Sequence, residues 1–519
     1  VPLRERKEIQ KVLRTYKRLI PALIILFWLV MVGMLVYREV VLPRMYRGLT
    51  SRRIDLPQDL WLGLYFSEEQ SVGFVHLRTS PEERAEEKGY ALSVNARVEF
   101  PLFGQETRMR IAGTAWMSGL TGLKEFDFRL NAEEHEMHIE GTVEDNTLKA
   151  TLHTAGEAIP FSLPVPGELL LSGNLGMNAV SLPRLLPGQV AFVDAFDPTT
   201  MSVGRAKIEA LRYETIELAG EPVDTIVVAT TISGITTHAW ISKEEEIVRA
   251  ETPFGLIIKK IEPQDAIEPL RAEETANIIR RLSVSSTGPA PDEDAQSLRV
   301  RISGISESLM PPEDTRQRRD GDTWLITRQD PADTSLTEPF TSEDADACLG
   351  ADMFIQTTHP RIREAAREIA GESGTPWEMA VRIHDWLYEN IDKKSVLSVP
   401  SALSVLETME GDCNEHAVLF TALARAAGIP TRITIGLAWS PFMNAFGYHA
   451  WPEIYVGRWI AMDPTFGERT VNPAHIKLFT GGIDQWPRLM GYLGTMRLEI
   501  LAGDAGATPR ETEEEPTRP

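Results

Sequence analysis

Gly411-Asp412-Cys413-Asn414-Glu415-His416-Ala417 leads into an apolar stretch from Val418 to Ala427, and the rest of the chain is understood from it. Asp412 is a favoured N-cap, and Glu415, three residues on, is the reciprocal partner of a capping box. Gly428 supplies a C-terminal stop, and Pro430 follows it. A helix over 413–427 therefore carries Cys413 in its first turn. There the unpaired N–H groups and the positive end of the helix dipole favour a thiolate, and the same groups can hold an oxyanion. A thiol nucleophile also needs a base that takes its proton and later returns it to a leaving group.

Two later stretches offer the partners. Gly447-Tyr448-His449-Ala450-Trp451-Pro452-Glu453-Ile454-Tyr455-Val456 has the composition of a strand that begins near a histidine. Arg458-Trp459-Ile460-Ala461-Met462-Asp463-Pro464-Thr465 follows as a second strand ending on an aspartate. The one-residue link, Gly457, demands a tight hairpin. Adjacent strands put His449 and Asp463 within hydrogen-bond reach, so that Asp463 can orient the imidazole and stabilise its cation. His416 is three residues along the helix from Cys413, poor geometry for an in-line base, and is expected to pack or hydrogen-bond. Glu415 is expected as a cap rather than an acid, and Trp451 and Trp459 as core. His475 is expected to be structural or substrate-side rather than a metal ligand, and His384 a surface or core histidine.

Gly-Asp-Cys-x-Glu-His-Ala at 411–417, Ala-Arg-Ala-Ala-Gly-Ile-Pro-Thr-Arg at 424–432, Tyr-His-Ala-Trp-Pro-Glu-Ile at 448–454 and Trp-Ile-Ala-Met-Asp-Pro-Thr at 459–465 together resemble a bacterial transglutaminase-like domain. The resemblance covers about residues 350–480. It implies a papain-like α+β fold with a Cys-His-Asp triad: Cys413 as nucleophile, His449 as base and Asp463 as orienter. It implies thiol-dependent acyl transfer on a peptide or carboxamide, by a cysteine protease, an amidase or a true transglutaminase. The same triad serves water and an amine as the second substrate, so the choice stays open, with hydrolysis favoured because bacterial proteins of this kind are often hydrolases. No cofactor or metal is called for, and no Asp/Asn-rich loop has calcium-ligand spacing.

The N-terminal region suggests where such a site would work. Residues 1–18 hold seven Lys/Arg, and Leu19 to Tyr37 then run without a charge. These nineteen residues span about 28 Å as a helix, close to the hydrocarbon thickness of a bilayer. Tyr37-Arg38-Glu39-Val40 offers no small-x-small cleavage pattern. The expectation is a single-pass inner-membrane protein with a cytoplasmic basic segment and the remainder facing the periplasm or exterior. Its substrate would then be a peptide or protein of the envelope, cell-wall peptide among the candidates.

The whole chain has 519 residues and a net charge of −22, which excludes the basic footprint of non-specific nucleic-acid binding. Two cysteines, Cys348 and Cys413, make neither a disulfide framework nor a zinc cluster. A bridge between them would act as a redox switch that silences the thiol. Strict alternation in Phe126-Asp127-Phe128-Arg129-Leu130 and Leu148-Lys149-Ala150-Thr151-Leu152 predicts strands with one buried face. Similar runs at Val72–Leu77, Tyr90–Val98, Met137–Val143, Thr225–Ile232, Ile235–Ile241, Ile247–Ala250 and Leu256–Ile261, with no long amphipathic helix between them, predict a large antiparallel sheet or open barrel. His135 and His138, three apart on a strand, point to opposite faces and cannot share a metal.

The expected fold class is thus α+β. A papain-like transglutaminase core at 346–501 is preceded by a large antiparallel β domain of unknown role at 56–270 and one N-terminal transmembrane helix at 19–37. Residues 1–18 form the basic segment, 38–55 a linker, 271–345 a linker with a small β unit, and 502–519 a disordered acidic tail. Two other functions compete with the enzyme: a non-catalytic envelope scaffold that uses a transglutaminase-like fold, and a lipid or peptide carrier built on the β domain.

Overall fold

The computed structural model describes residue 31 and residues 58–505, apart from 66–70, 172–185, 198–201, 268–282, 333–339, 395–399 and breaks of one to three residues. Of the apolar run at 19–37 only Met31 is described, and the first part of the expected linker, 271–282, lies outside the described residues. Among those described, no helix is long and apolar enough to cross a membrane.

Strands dominate. The first eight, from Gln58–Tyr65 to Glu157–Pro164, each pair antiparallel with the next. The hairpin at Asp145-Asn146 shows the local reason: both residues hold positive φ (48° and 58°), the two-residue turn whose twist matches flanking strands. The chain then returns through Leu169–Leu171, Val190–Asp197, Ser202–Leu218, Glu221–Ile232, Ile235–Ser242, Ile247–Glu251 and Ile257–Lys260. The last of these pairs antiparallel with Gln58–Tyr65, joining both runs into one 15-stranded sheet. A bridge from Gly122 to Leu169 ties the far edge strand back toward the first run, so the sheet curls. The alternating residues lie as their pattern predicts, with Phe126, Phe128, Leu130, Leu148, Ala150 and Leu152 buried on the concave core.

The expected division at 345 is not what the chain does. Ser285–Thr287, Ala295–Ser303, Gln317–Asp320 and Thr323–Thr327 form a five-stranded sheet with Arg497–Ala505, so the small β unit and the end of the chain are one element. Ala502–Ala505 belong to that strand, which moves the start of the polar tail to 506 or beyond, outside the described residues. The polar, acidic, proline-bearing composition of 502–519 marked 502 as the start of the tail; backbone pairing with Ala295–Arg299 overrides it at 502–505.

Helices enter as Ser342–Leu349, Pro360–Ala370, Pro376–Asn390, Ala402–Thr408 and Cys413–Ala426. A capping box opens the third of these at Thr375: Glu378 N–H donates to Thr375 Oγ1, and Thr375 N–H donates to Glu378 Oε2 at 2.8 Å. Cys413–Ala426 lies at the centre of the helical layer, with Glu415 through Ala424 all buried. It packs on a four-stranded sheet ordered Trp459–Ala461, Ala445–Tyr455, Thr431–Ser440, His475–Thr480. The other face of this sheet meets the five-stranded one through Ile435, Leu437, Phe446, Ile476 and Leu478 against Leu298, Val300, Trp324 and Ile326.

Candidate active site

The Cys413 helix begins as its residues dictate. Asp412 Oδ1 accepts the Asn414 N–H at 2.9 Å, and Glu415 Oε2 accepts the Asp412 N–H at 2.9 Å. A Cβ on Gly411 would lie 2.2 Å from Glu415 Cβ, so only glycine lets the capping partner fold back. This box leaves Cys413 at the first helical residue, half-buried, with the Ala450 N–H donating to its sulfur. Strand Ala445–Tyr455 thus brings Ala450 to the thiol, with His449 the residue before it.

The thiolate expected from the helix dipole is not the resting form. Burial first, then the Asp412 charge, push the Cys413 thiol well above its ordinary range, against the lowering effect of the Ala450 N–H. Of the first-turn N–H groups, that of Asn414 is engaged by Asp412 Oδ1 and that of His416 by the Asp412 carbonyl. Those two are not available to an oxyanion.

His449 and Asp463 meet. The His449 Nε2–H donates to Asp463 Oδ2 at 2.7 Å, with His449 8% exposed and Asp463 fully buried. The link between their strands is longer than one residue: Val456 N–H bonds to the Arg458 carbonyl around Gly457, at φ +92°. Asp463 itself lies past the end of Trp459–Ala461, in a two-way backbone bridge with Glu468. Its Oδ1 accepts the N–H groups of Thr465 (2.8 Å) and Phe466 (3.1 Å). Burial would raise its carboxyl, but the charges and hydrogen bonds of His449 and His475 outweigh that and hold it well below the usual range.

The other sequence-marked residues fall around this centre. His416 is buried and its Nδ1–H donates to the Asp412 carbonyl at 2.7 Å; burial pushes its imidazole down. His384 is a buried residue, not a surface one, and its Nε2–H donates to the Asp463 carbonyl at 3.1 Å. Trp451 and Trp459 are core. Cys348 sits beside Arg425, twelve residues along the helix from Cys413, about 18 Å at ~1.5 Å per residue. Both thiols are free, and a disulfide between them is out of reach. His138 is remote, pairing with Asp127 at 3.1 Å and stacking on His153 on the large sheet.

Three residues were missed or undervalued by the linear reading. His475, one per cent exposed, donates from Nε2 to the same Asp463 Oδ2 at 3.0 Å. Phe466, 44% exposed, stacks on the His449 ring at 4.5 Å and 17°. Lys393 lies over the exposed Tyr388 ring at 3.7 Å, within electrostatic range of Asp463. An aromatic three residues after the aspartate is the trace of Phe466 in the sequence; His475 was visible as a structural or substrate-side histidine, but not as a partner of Asp463.

Residues 363–464 match the family model of the transglutaminase-like superfamily core, so the chain carries a transglutaminase-like domain. No curated protein matches the chain. Three solved structures resemble parts of it. A Cytophaga hutchinsonii protein with an inferred cysteine-protease assignment is 19% identical, covering 39% of this chain and 83% of its own, at a TM-score of 0.28. A beta-barrel-like domain of unknown function from Brucella abortus is 10% identical, covering 40% of this chain and 96% of its own, at 0.27. A Parabacteroides distasonis protein with an inferred protease assignment is 11% identical, covering 71% of this chain and 67% of its own, at 0.18.

Proposed function

We propose that the chain is a thiol-dependent acyl-transfer enzyme acting on a peptide or carboxamide bond, with hydrolysis as the second half-reaction. One observation carries the reading: within a transglutaminase-like match, His449 Nε2 is bonded to buried Asp463 while the next residue, Ala450, donates its N–H to the Cys413 sulfur. With Nε2 committed to Asp463, Nδ1 is the ring nitrogen that exchanges a proton with sulfur. Because burial holds the resting thiol protonated, that proton leaves sulfur as Cys413 attacks the carbonyl. His449 carries it as an imidazolium beside the Asp463 carboxylate, then gives it to the departing amine. Water, deprotonated by the same imidazole, attacks the thioester and frees Cys413 with a carboxylic acid product. An amine in place of water makes the product an amide.

The apolar run at 19–37 supports an envelope location, with the site on the outer side of the inner membrane and envelope peptides or proteins as substrates. The test is covalent capture in envelope extracts with an electrophilic peptide probe library, beside a Cys413→Ala control. Labelling of wild type that is absent from the control is expected. If Cys413 reacts with iodoacetamide no faster than an exposed model thiol, and no probe is captured, the chain is a scaffold with a transglutaminase-like fold instead.

A further inference from the structure

We propose that His475 is a fourth member of this site, a positioning residue that holds the Asp463 carboxylate in the rotamer presented to His449, and that the accessory five-stranded sheet holds His475 through Arg316. The proposal rests on the triad reading above and adds to it a residue and an element outside the 363–464 match.

A carboxylate has about four lone-pair sites. Asp463 uses all four: two backbone N–H groups on Oδ1, and His449 and His475 on Oδ2. The two imidazoles approach that one oxygen from different sides, their rings 5.8 Å apart and inclined at 62°. Rotation of the carboxylate would therefore break bonds to both. A buried acceptor left without His475 would be unsatisfied, which the carboxylate can relieve only by turning away from the geometry His449 needs.

His475 is itself locked by a closed ring of bonds. Asp463 and Glu468 exchange backbone bonds at 2.8 and 2.9 Å. Glu468 accepts from Asn472 N–H (2.6 Å) and Asn472 Nδ2 (2.8 Å), and the Asn472 carbonyl accepts the His475 N–H at 3.2 Å. The ring closes at His475 Nε2 on Asp463. Arg316, buried and arriving just before strand Gln317–Asp320, grips this ring from outside. Its Nη1 donates to the His475 carbonyl and its Nη2 to the Asn472 carbonyl at 2.6 Å. Gln317 continues the grip, donating to the Lys477 carbonyl at 2.9 Å and accepting the Lys477 N–H at 3.0 Å. Burial pushes the Arg316 guanidinium down only to about 10, so it stays a cation at neutral pH.

The probe is iodoacetamide, and the readout is the rate of Cys413 alkylation against pH in the full chain, by mass spectrometry. Wild type, His449→Ala, His475→Gln, His475→Phe and Arg316→Gln are compared, with thermal melts run in parallel. Gln keeps an N–H donor; Phe keeps the ring volume without one. Alkylation about tenfold slower in His475→Phe at neutral pH is expected, with the acid limb of its profile moved to lower pH, because Asp463 then turns away from His449 and stabilises its cation less. His475→Gln should restore most of the rate. If His475→Phe does not fold, Arg316→Gln takes its place, with a smaller loss expected. Should His449→Ala slow alkylation while His475→Phe, or Arg316→Gln in its stead, matches wild type, the positioning role is wrong and the triad stands. If His449→Ala also matches wild type, the triad reading itself fails. Loss of alkylation in proportion to lost melting temperature, without movement of the pH limb, would reduce His475 to a structural residue. Zinc binding by wild type that disappears in His475→Gln, with alkylation restored by chelator, would make the group a metal site and overturn the proposal.

Discussion

At Asp412 one side chain does two opposed things. Its carboxylate caps the helix through the Asn414 N–H, and its charge is the second cause, after burial, that raises the Cys413 thiol. Asp412→Asn separates the two, since Asn caps about as well as Asp. Removing the negative charge should let Cys413 ionise at lower pH, seen as an earlier rise in thiolate ultraviolet absorbance, with stability changed by less than about 0.5 kcal/mol. Burial, the larger cause, would still keep the thiol above its ordinary range. A titration identical to wild type would show that the Asp412 charge does not reach the sulfur. The linear chain displayed both the cap and the cysteine, and suggested a thiolate from the dipole alone. The burial that opposes this comes from the packing of the folded chain around the thiol.

Among the elements, strand Ala445–Tyr455 carries the largest load. His449 lies on it next to Ala450, whose N–H donates to the Cys413 sulfur, and four residues on, Glu453 is buried between Lys477 (2.8 Å) and Arg432 (2.7 Å). Burial would raise the Glu453 carboxyl, but the two cations outweigh it and hold it at about 2. That folded value lies below the unfolded one of ~4.3. Glu453 therefore contributes stability that is fully present above ~4.3 and is lost as pH falls through about 2. Glu453→Gln should cost about 1.5–3 kcal/mol in urea unfolding at pH 7, because it removes the charge between half-buried Arg432 and buried Lys477, which keeps Asp314. The gap to wild type should close as pH falls toward about 2; a constant gap would discount the ion pairs. The neighbouring strand is as intolerant. Gly436 pairs with His449, and a Cβ there would lie 2.2 Å from the Ile476 carbonyl oxygen and 2.5 Å from Trp451. Gly436→Ala should displace strand His475–Thr480, with Cys413 alkylation slowed and the melting temperature lowered. A wild-type rate would mean that the His475 strand tolerates the shift.

Over the whole molecule, the helical layer and its four-stranded sheet do not make a closed unit. Ile435, Leu437, Phe446, Ile476 and Leu478 find their apolar partners on the five-stranded sheet, whose strands come from before residue 328 and after residue 496. Each such side chain is worth roughly 1.5–3 kcal/mol when buried, and five of them together rival the ~5–15 kcal/mol of a typical domain. A fragment of residues 341–481 should therefore lack near-ultraviolet circular dichroism and a cooperative melt, while residues 283–505 should show both. Cooperative unfolding of the shorter piece would remove the claim that the accessory sheet belongs to the catalytic unit.

Local patterns in the chain were enough for the alternating strands of the large sheet, both capping boxes, and the Cys413, His449 and Asp463 blocks. Each depends on interactions within a few residues, or on a hairpin short enough to pair its own arms. Strands such as Gln105–Met117 and Ser202–Leu218 alternate too, with Glu106, Arg108 and Arg110, or Arg205, Lys207 and Glu209, at every second residue, and neighbours on either side complete their ladders. The joining of residues 285–327 to 497–505, the clamp of Arg316 on the His475 segment, and the convergence of two histidines on one Asp463 oxygen are contacts across 12 to 212 residues. They exist because a buried carboxylate and buried carbonyls must find donors, and which donors arrive is settled only when distant strands pack together.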